Sequence, residues 1–495
     1  MTDPEGTRPT VTSNPPAGSS AGTTAPPSPA PTDLFAQDIG PKSIRESFTN
    51  YVQRVRGGDV GMLPAIFGVI VLVIIFANVS DKFLTKTNLA NLIVQAAPII
   101  LLGMALVWVL LLGEIDLSAG TASGACAAAM GIAITNGGDL KAHLGSTTYY
   151  LTAVLMLVTL VGAVLYRIWP AAVLIAIGLV IWFTHLSDNS VIAILLAMCL
   201  GTSIGVLTGF LVAKVGIPSF VVTLALFLGW QGVLLQFVGQ GASINVGGRK
   251  FVFDLESAAA AITPLWGWIL WVVFAGGYLV FTLWRSARNR ANGLVADPIS
   301  VVLVKGVALA AVTGVAVWLL NQDRSLTRLT VQEGVPRIVP ILLVLFIILT
   351  LILAKTQFGR HLYATGGNAE AARRAGISVD RIRISAFIFC SSLAGLAGVL
   401  SAARTASVDG TSGGGNTLLF AVAAAVIGGT SLFGGKGHIR DAVIGGLVIA
   451  IIPNGLSLKP SLGPQYNLMI TCIVLLAAAA ADALSRRRAR ASGLG

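Results

Sequence analysis

ATGGNAEAARRAGISVDRIRIS, residues 364–385, is the most polar run inside an otherwise apolar chain. Apolar stretches flank it at 337–354 and 384–404. Gly366 and Gly367 are expected to break the preceding helix. Asn368 stands where its side-chain oxygen accepts a first-turn N–H of a new one. Glu370 then falls near the positive end of the helix dipole. Ala369, Ala371, Ala372 and Ala375 are small helix formers, and Gly376 stops the helix by taking a left-handed conformation. The stretch therefore reads as a short helix with a small-residue face, set between two membrane spans and open to a soluble partner.

The rest of the chain supplies the membrane. Of its 495 residues 55% are hydrophobic and 11% charged, against about a quarter charged in ordinary soluble domains. Apolar segments begin near residues 63, 89, 118, 150, 170, 191, 219, 262, 299, 337, 384, 413, 441 and 466. Most are long enough to cross about 30 Å of hydrocarbon at about 1.5 Å per residue. Those at 170–184 and 413–429 are short and read as tilted or re-entrant. The segment SAGTASGACAAAMGIAIT (118–135) is almost all small residues, which lets helix backbones approach closely and places it centrally. The fold class is an all-α polytopic membrane protein, a helical bundle of about 12–14 transmembrane spans.

Charge sets the expected topology. The formal net charge is +12, and its clusters obey the positive-inside rule when both termini are cytoplasmic. These clusters are Arg285, Arg288 and Arg290; the basic residues between Lys355 and Arg383; and Arg486, Arg487, Arg488 and Arg490. Lys82, Lys86, Arg324 and Arg328 fall on the wrong side. Residues 1–41, with nine prolines, lack the apolar content to fold and read as a disordered cytoplasmic extension without a cleavable signal. Residues 42–60 form an amphipathic segment, lying on the membrane or solvated. Residues 61–484 make the transmembrane domain, with a cytoplasmic loop at 355–383, and 485–495 a basic cytoplasmic tail.

Catalysis and metal binding find no support in the pattern. Cys126, Cys199, Cys390 and Cys472 are scattered through apolar runs. His143, His185, His361 and His438 form no i, i+4 pair, so neither residue type frames a disulfide or a metal site. No basic stripe interleaved with aromatics points to nucleic acid. GGTSLFGGKG (428–437) lacks the G-x-x-x-x-G-K-[ST] spacing of a phosphate loop. Its glycines suit broken or closely packed helices lining a cavity. Glu114 and Asp116 interrupt an apolar run, either as part of a translocation path or as a cap for the helix after Ser118. Gln95, Asn416 and Thr430 are further candidates for the path. Gln231, Gln236 and Gln240 recur near helical spacing, facing a polar cavity or bonding between helices. Gly216-Ile217-Pro218-Ser219 reads as a tight turn between spans.

Four strings, in order, resemble the permease subunits of bacterial ABC sugar importers of the ribose and xylose type. LLLGEIDLSAG (110–120), KVGIPSFVVTLALFLGWQGV (214–233), TQFGRHLYATGGNAEAARRAGISVDRIRIS (356–385) and AVIGGTSLFGGKG (425–437) carry the likeness, which spans roughly 89–480. The third resembles the family's coupling loop, its version of the EAA loop. That likeness implies a type II-like permease of the bacterial plasma membrane, not itself an enzyme. ATP would be used by a separate ABC ATPase subunit docking on Gly367, Asn368, Glu370, Ala371, Ala372, Arg373, Gly376 and Ile377. An extracytoplasmic sugar-binding protein, a second permease copy as a homodimer, and membrane lipid complete the implied partners, with a pentose such as xylose or ribose as cargo. Two departures stand out: the family has glycine where this chain has Glu114, and it has an acidic residue shortly before AVIGG that is missing here. The competing reading is an ion-coupled secondary transporter of a small polar solute, which needs Glu114 and Asp116 as ion-binding groups. Deleting residues 1–41 is expected to leave uptake unchanged in a transport assay; a large fall would give the tail a role in transport.

Overall fold

The computed structural model describes residues 61–491, apart from 258–259, 295, 297, 326–330, 460 and 462, together with residues 45, 46, 49, 52 and 53. The extension 1–41, most of the amphipathic segment 42–60, and residues 492–495 lie outside the described residues. Among those described, nine helices are long and apolar enough to cross a membrane and five more are shorter apolar helices. Every segment marked as a span in the sequence coincides with one of them.

In chain order the helices are α1 (Leu63–Val79), α2 (Lys86–Leu110), α3 (Ala119–Thr135), α4 (Leu140–Leu165), α5 (Trp169–Phe183), α6 (Ser190–Val215), α7 (Ser219–Val238) and α8 (Lys250–Glu256). There follow α9 (Pro264–Ala291), α10 (Ile299–Leu320), α11 (Ile338–Lys355), α12 (Gln357–Gly367), α13 (Ala369–Arg374), α14 (Val379–Thr405), α15 (Asn416–Gly428), α16 (Ile439–Ser457) and α17 (Pro464–Ala491). Two stretches outside the expected spans are helical: 379–383 is the first turn of α14, and 485–491 continues α17. Neither stretch contains Gly or Pro, so nothing stops the helix there.

The long helix α14 is the hub, packing against α6, α2 and α3. Glycines set these distances. On α6, Gly201, Gly205 and Gly209 recur every fourth residue and lie against the α14 backbone; a Cβ on Gly205 would stand 2.5 Å from the Cα of Ile388. On α14, Gly395 and Gly398 lie against Ala197 of α6 and Ser123 of α3. This is small-residue packing, in which van der Waals contact between backbones replaces a hydrophobic drive that lipid does not supply. As expected from its composition, α3 is central, with every residue from Ala119 to Ile134 buried. By contrast α9, α10 and α11 stand at the rim, where 11%, 17% and 17% of their most apolar windows are buried.

Two short antiparallel ladders mark one face. Strand β1 (Ser243–Asn245) pairs with β4 (Ser407–Asp409), Ile244 opposite Val408. Strand β2 (Ala261–Ile262) pairs with β3 (Val335–Pro336), Ile262 opposite Val335. From β3, α11 runs away from this face to α12 and α13, and α14 returns from α13 to β4. The polar helix α13 and the ladders therefore occupy opposite faces. Arg324, a misfit in the charge count, lies on the ladder side with a local explanation. It is buried, and its guanidinium donates to the carbonyls of Leu320 and Gly334 (the latter at 2.9 Å), satisfying the C-terminal end of α10.

Glu256 ends α8 on that same face. It is buried, and neither of its carboxylate oxygens has a hydrogen-bond partner. Burial pushes its carboxyl well above the usual carboxylate range, opposed by Arg404. A folded-state pKa above the unfolded one means stability is complete below the ordinary Glu value of about 4.3 and is lost as pH rises through the folded value. Glu256→Gln is therefore expected to unfold at a higher temperature than wild type, by a margin that widens as pH rises above the ordinary Glu range. A margin independent of pH in thermal melts would contradict this.

Candidate functional site

Local sequence builds α13 as read. The Asn368 side chain accepts the Ala371 N–H at 2.9 Å. Gly376, at φ +82°, lets the chain fold back so that the Ile377 N–H reaches the Ala372 carbonyl at 3.0 Å. Glu370 pairs with Arg374 at 3.3 Å and Arg373 at 3.7 Å, all three side chains being more than half exposed. Gly367, Asn368, Ala371 and Gly376 are exposed as well, and Ile377 is half-buried. Ala372 departs from the expected outward set: it is buried at 4% exposure, because the returning chain closes over it. The outer surface of α13 is thus Glu370, Ala371, Arg373 and Arg374.

Gly366 and Gly367 stand where the preceding helix ends, as expected. They form the last turn of α12, which ends at Asn368. Gly366 is required by contact, since a Cβ there would collide with the Leu111 carbonyl oxygen and lie 3.0 Å from the Gly435 nitrogen. The glycine-rich stretch 428–437 comes to the same point. Gly434 and Gly435 take φ +83° and +74°, and the Gly435 N–H donates to the Leu111 carbonyl at 2.8 Å. The Tyr363 hydroxyl donates to the Gly437 carbonyl at 2.5 Å, and burial, with Asp441 nearby, pushes this phenol up to about 12, keeping it a donor. The base of α13, the end of α2 and the glycine loop are therefore interlocked. Aromatic contacts extend the joint into the bundle: Phe358 of α12 stacks on Trp108 of α2 at 6.0 Å and on Phe389 of α14 at 5.4 Å, while Trp108 and Phe389 stack at 4.4 Å.

From this joint the loop 111–118 rises into the bundle. Glu114 pairs with Arg383 of α14 at 3.4 Å, both side chains being largely covered. Asp116 is buried; one carboxylate oxygen accepts the Ser118 N–H at 3.0 Å and the Ser118 hydroxyl at 2.6 Å. This turn leads into α3, where Asp116 also meets the Ala119 N–H, while Ser118 makes no side-chain cap. The Cys390 thiol also lies against this carboxylate. Thr223 of α7 donates to the Ile115 carbonyl at 3.1 Å. A second irregular segment, 410–415, descends from the ladder face. Gln231 donates to its Gly410 carbonyl at 2.5 Å, and Gly413 meets Gly120, where a Cβ would stand 2.6 Å from the Gly413 oxygen. Both α3 and α15 begin at this meeting point. The 13 residues of α15 span only about 20 Å, so it is a half-helix with its exposed start at Asn416. Irregular backbone inside a bundle is tolerated where it is packed by protein or lines a cavity.

Two other residues expected on the path are held elsewhere. Gln95 belongs to an amide cluster joining α2 to α16: it accepts from Asn454 at 3.3 Å, while Asn454 and Asn88 exchange bonds at 2.9 and 3.1 Å. Thr430 is buried and donates to Asp441 at 3.2 Å. Asp441 also takes the His438 N–H at 2.7 Å and so pins both ends of the glycine loop. The sequence reading missed Asp441, although its place three residues into a helix is a capping signature. Gln236 bonds Thr148 across α7 and α4 at 3.4 Å. Gln236 also lines a cavity of about 630 Å³ between α3, α4, α6 and α7, which has no charged side chain in its lining.

The family described as branched-chain amino acid transport system / permease component matches residues 88–479. The xylose transport system permease protein XylH of Escherichia coli is 29% identical over 431 residues, covering 86% of this chain and 92% of that protein. XylH of Haemophilus influenzae is 33% identical over 273 residues, 54% of this chain and 68% of that one. The ribose import permease protein RbsC of Escherichia coli is 27% identical over 418 residues, 84% of this chain and 92% of that one. No solved structure matches the chain.

Proposed function

Because this chain belongs to the branched-chain amino acid transport system / permease component family, we propose that it is the membrane-spanning subunit of an ATP-driven importer whose cargo is a pentose. The relatives named for xylose and ribose transport support the cargo class. The observation that carries the mechanism is the exposed helix α13, which continues from α12, itself locked to α2 and α14 through the Phe358–Trp108–Phe389 stack. A separate ATPase seats on the outer surface of α13, chiefly Glu370, Ala371 and Arg373. Its movement passes through α12 and the glycine loop to the 111–118 segment, where α3 and α15 begin. The path runs past Asn416 and the 410–415 backbone, neutral and polar as a sugar requires. An extracytoplasmic sugar-binding protein delivers cargo to the ladder face, and a second copy of the chain completes a homodimer. On this reading the domain 61–484 lies in the bacterial plasma membrane with both termini cytoplasmic. The face bearing α13 is cytoplasmic too, which agrees with the basic clusters at 285–290 and 355–383.

Ion coupling is disfavoured by geometry, since Glu114 is already paired with Arg383 and Asp116 is sealed behind Ser118. A gentle-detergent pull-down of the chain from its native membranes, read by mass spectrometry, tests the proposal. Recovery of an ATPase with Walker motifs and a sugar-binding protein is expected; a chain recovered alone would favour a self-sufficient carrier.

A further inference from the structure

The first turn of α14 follows α13 after only four residues, 375–378, so a displacement of α13 reaches that turn through the chain itself. The turn carries two ion pairs of opposite sense. Asp380 meets Lys214, near the end of α6, at 2.6 Å, and Arg383 meets Glu114 of the 111–118 loop at 3.4 Å. Asp380 and Arg383 are three residues apart and so neighbours on the helix surface, which lets one turn of α14 hold α6 and the loop together. The settings of the two pairs differ. Lys214 and Asp380 are 35% and 33% exposed, whereas Arg383 and Glu114 are 30% and 15% exposed. A charge withdrawn from water is costly to leave without its partner, and Glu114 is the most covered of the four. The Arg383 Nε makes no hydrogen bond among the described residues. Charge attraction therefore holds this pair. It falls only as the inverse of distance and tolerates changes of angle that would break a directed bond. Hydrogen bonds hold the loop elsewhere: the Gly435 N–H at Leu111, the Ser219 and Thr223 hydroxyls at Ile115, and the Cys390 thiol of α14 at Asp116. Among the described residues Glu114–Arg383 is the loop's one ion pair.

We infer that Glu114 and Arg383 are a positioning pair for transport, yoking the 111–118 loop, and with it the start of α3, to the first turn of α14. A movement of α13 then shifts the loop directly, by a second route beside the one through α12 and the glycine loop. Both residues act through the loop, not on cargo. The inference rests on the reading of α13 as the seat of the ATPase.

The test measures pentose uptake and ATP hydrolysis in the same proteoliposomes, holding the full chain with the ATPase and binding protein that co-purify with it. Glu114→Gln and Arg383→Gln are each expected to lower uptake per ATP hydrolysed about tenfold, within the roughly 5–150-fold span of coupling between sites. The ATPase should stay bound and active, and the pentose concentration giving half-maximal uptake should not change. Glu114→Lys with Arg383→Glu exchanges the charges and is expected to bring the ratio back to within about threefold of wild type. A packing defect would not be mended by this exchange. Lys214→Gln, which removes the more exposed pair on the same turn, is expected to leave the ratio within about twofold. Should a single glutamine variant fail to fold, the double glutamine variant leaves no unpaired charge and carries the same expected loss. Wild-type vesicles separate the two claims. Uptake that needs no ATP would bring down the importer reading itself. ATP-driven uptake in wild type, with the ratio unchanged in the glutamine variants, would overturn the pair alone. So would failure of the exchanged pair to recover, or an equal loss in Lys214→Gln.

Discussion

Glu370→Lys is expected to lower ATP-driven uptake at least tenfold, roughly the effect of reversing a charge at an interface hot spot, while the protein inserts and melts as wild type does. The side chain is 60% exposed, and its ion pairs among the described residues are with Arg373 and Arg374. Losing those solvent-screened i,i+3 and i,i+4 pairs costs the fold only about 0.3–0.5 kcal/mol. For a docking partner the change is large. It turns a carboxylate in the first turn, flanked by two arginines, into an unbroken positive patch at the positive end of the helix. Co-purification of the ATPase should fall together with uptake. Normal uptake by the variant would remove α13 from the coupling role.

Phe358→Ala is expected to separate docking from transport. The ring joins α12 to both Trp108 and Phe389, and Phe→Ala at a packed site costs about 3 kcal/mol or more. The outer surface of α13 is untouched, so the ATPase should still bind and hydrolyse ATP. Movement of α12 would no longer reach α2 and α14, and uptake should fall about tenfold or more relative to hydrolysis. Uptake and hydrolysis falling in strict proportion would argue against transmission through the stack.

Much of this was legible in the sequence wherever the cause is local. The Asn368 cap and the Gly376 stop follow from residues within one turn, and the spans follow from long apolar runs. What escaped depends on contacts between distant segments. Gly366 reads as no more than a helix breaker until Leu111 and Gly435 are placed against it. Ala372 reads as outward until Ile377 folds back. Glu114 reads as an open carboxylate because its partner Arg383 lies far along the chain. Gln95 and Thr430 read as path residues because a polar side chain in an apolar run gives no hint of which helix will meet it; Asn454 and Asp441 meet them. One signal was present and unread: Gly201, Gly205 and Gly209 repeat every four residues along α6, a pattern that already specifies a close helix contact.

The most direct measurement is uptake of radiolabelled xylose and ribose into proteoliposomes containing this chain, with and without the ATPase and the binding protein that co-purify with it. The importer reading predicts uptake of at least one of the two pentoses that requires ATP and both partners and that is lost in Glu370→Lys. Uptake by the chain alone, driven by an ion gradient and indifferent to ATP, would contradict it and return attention to Glu114 and Asp116.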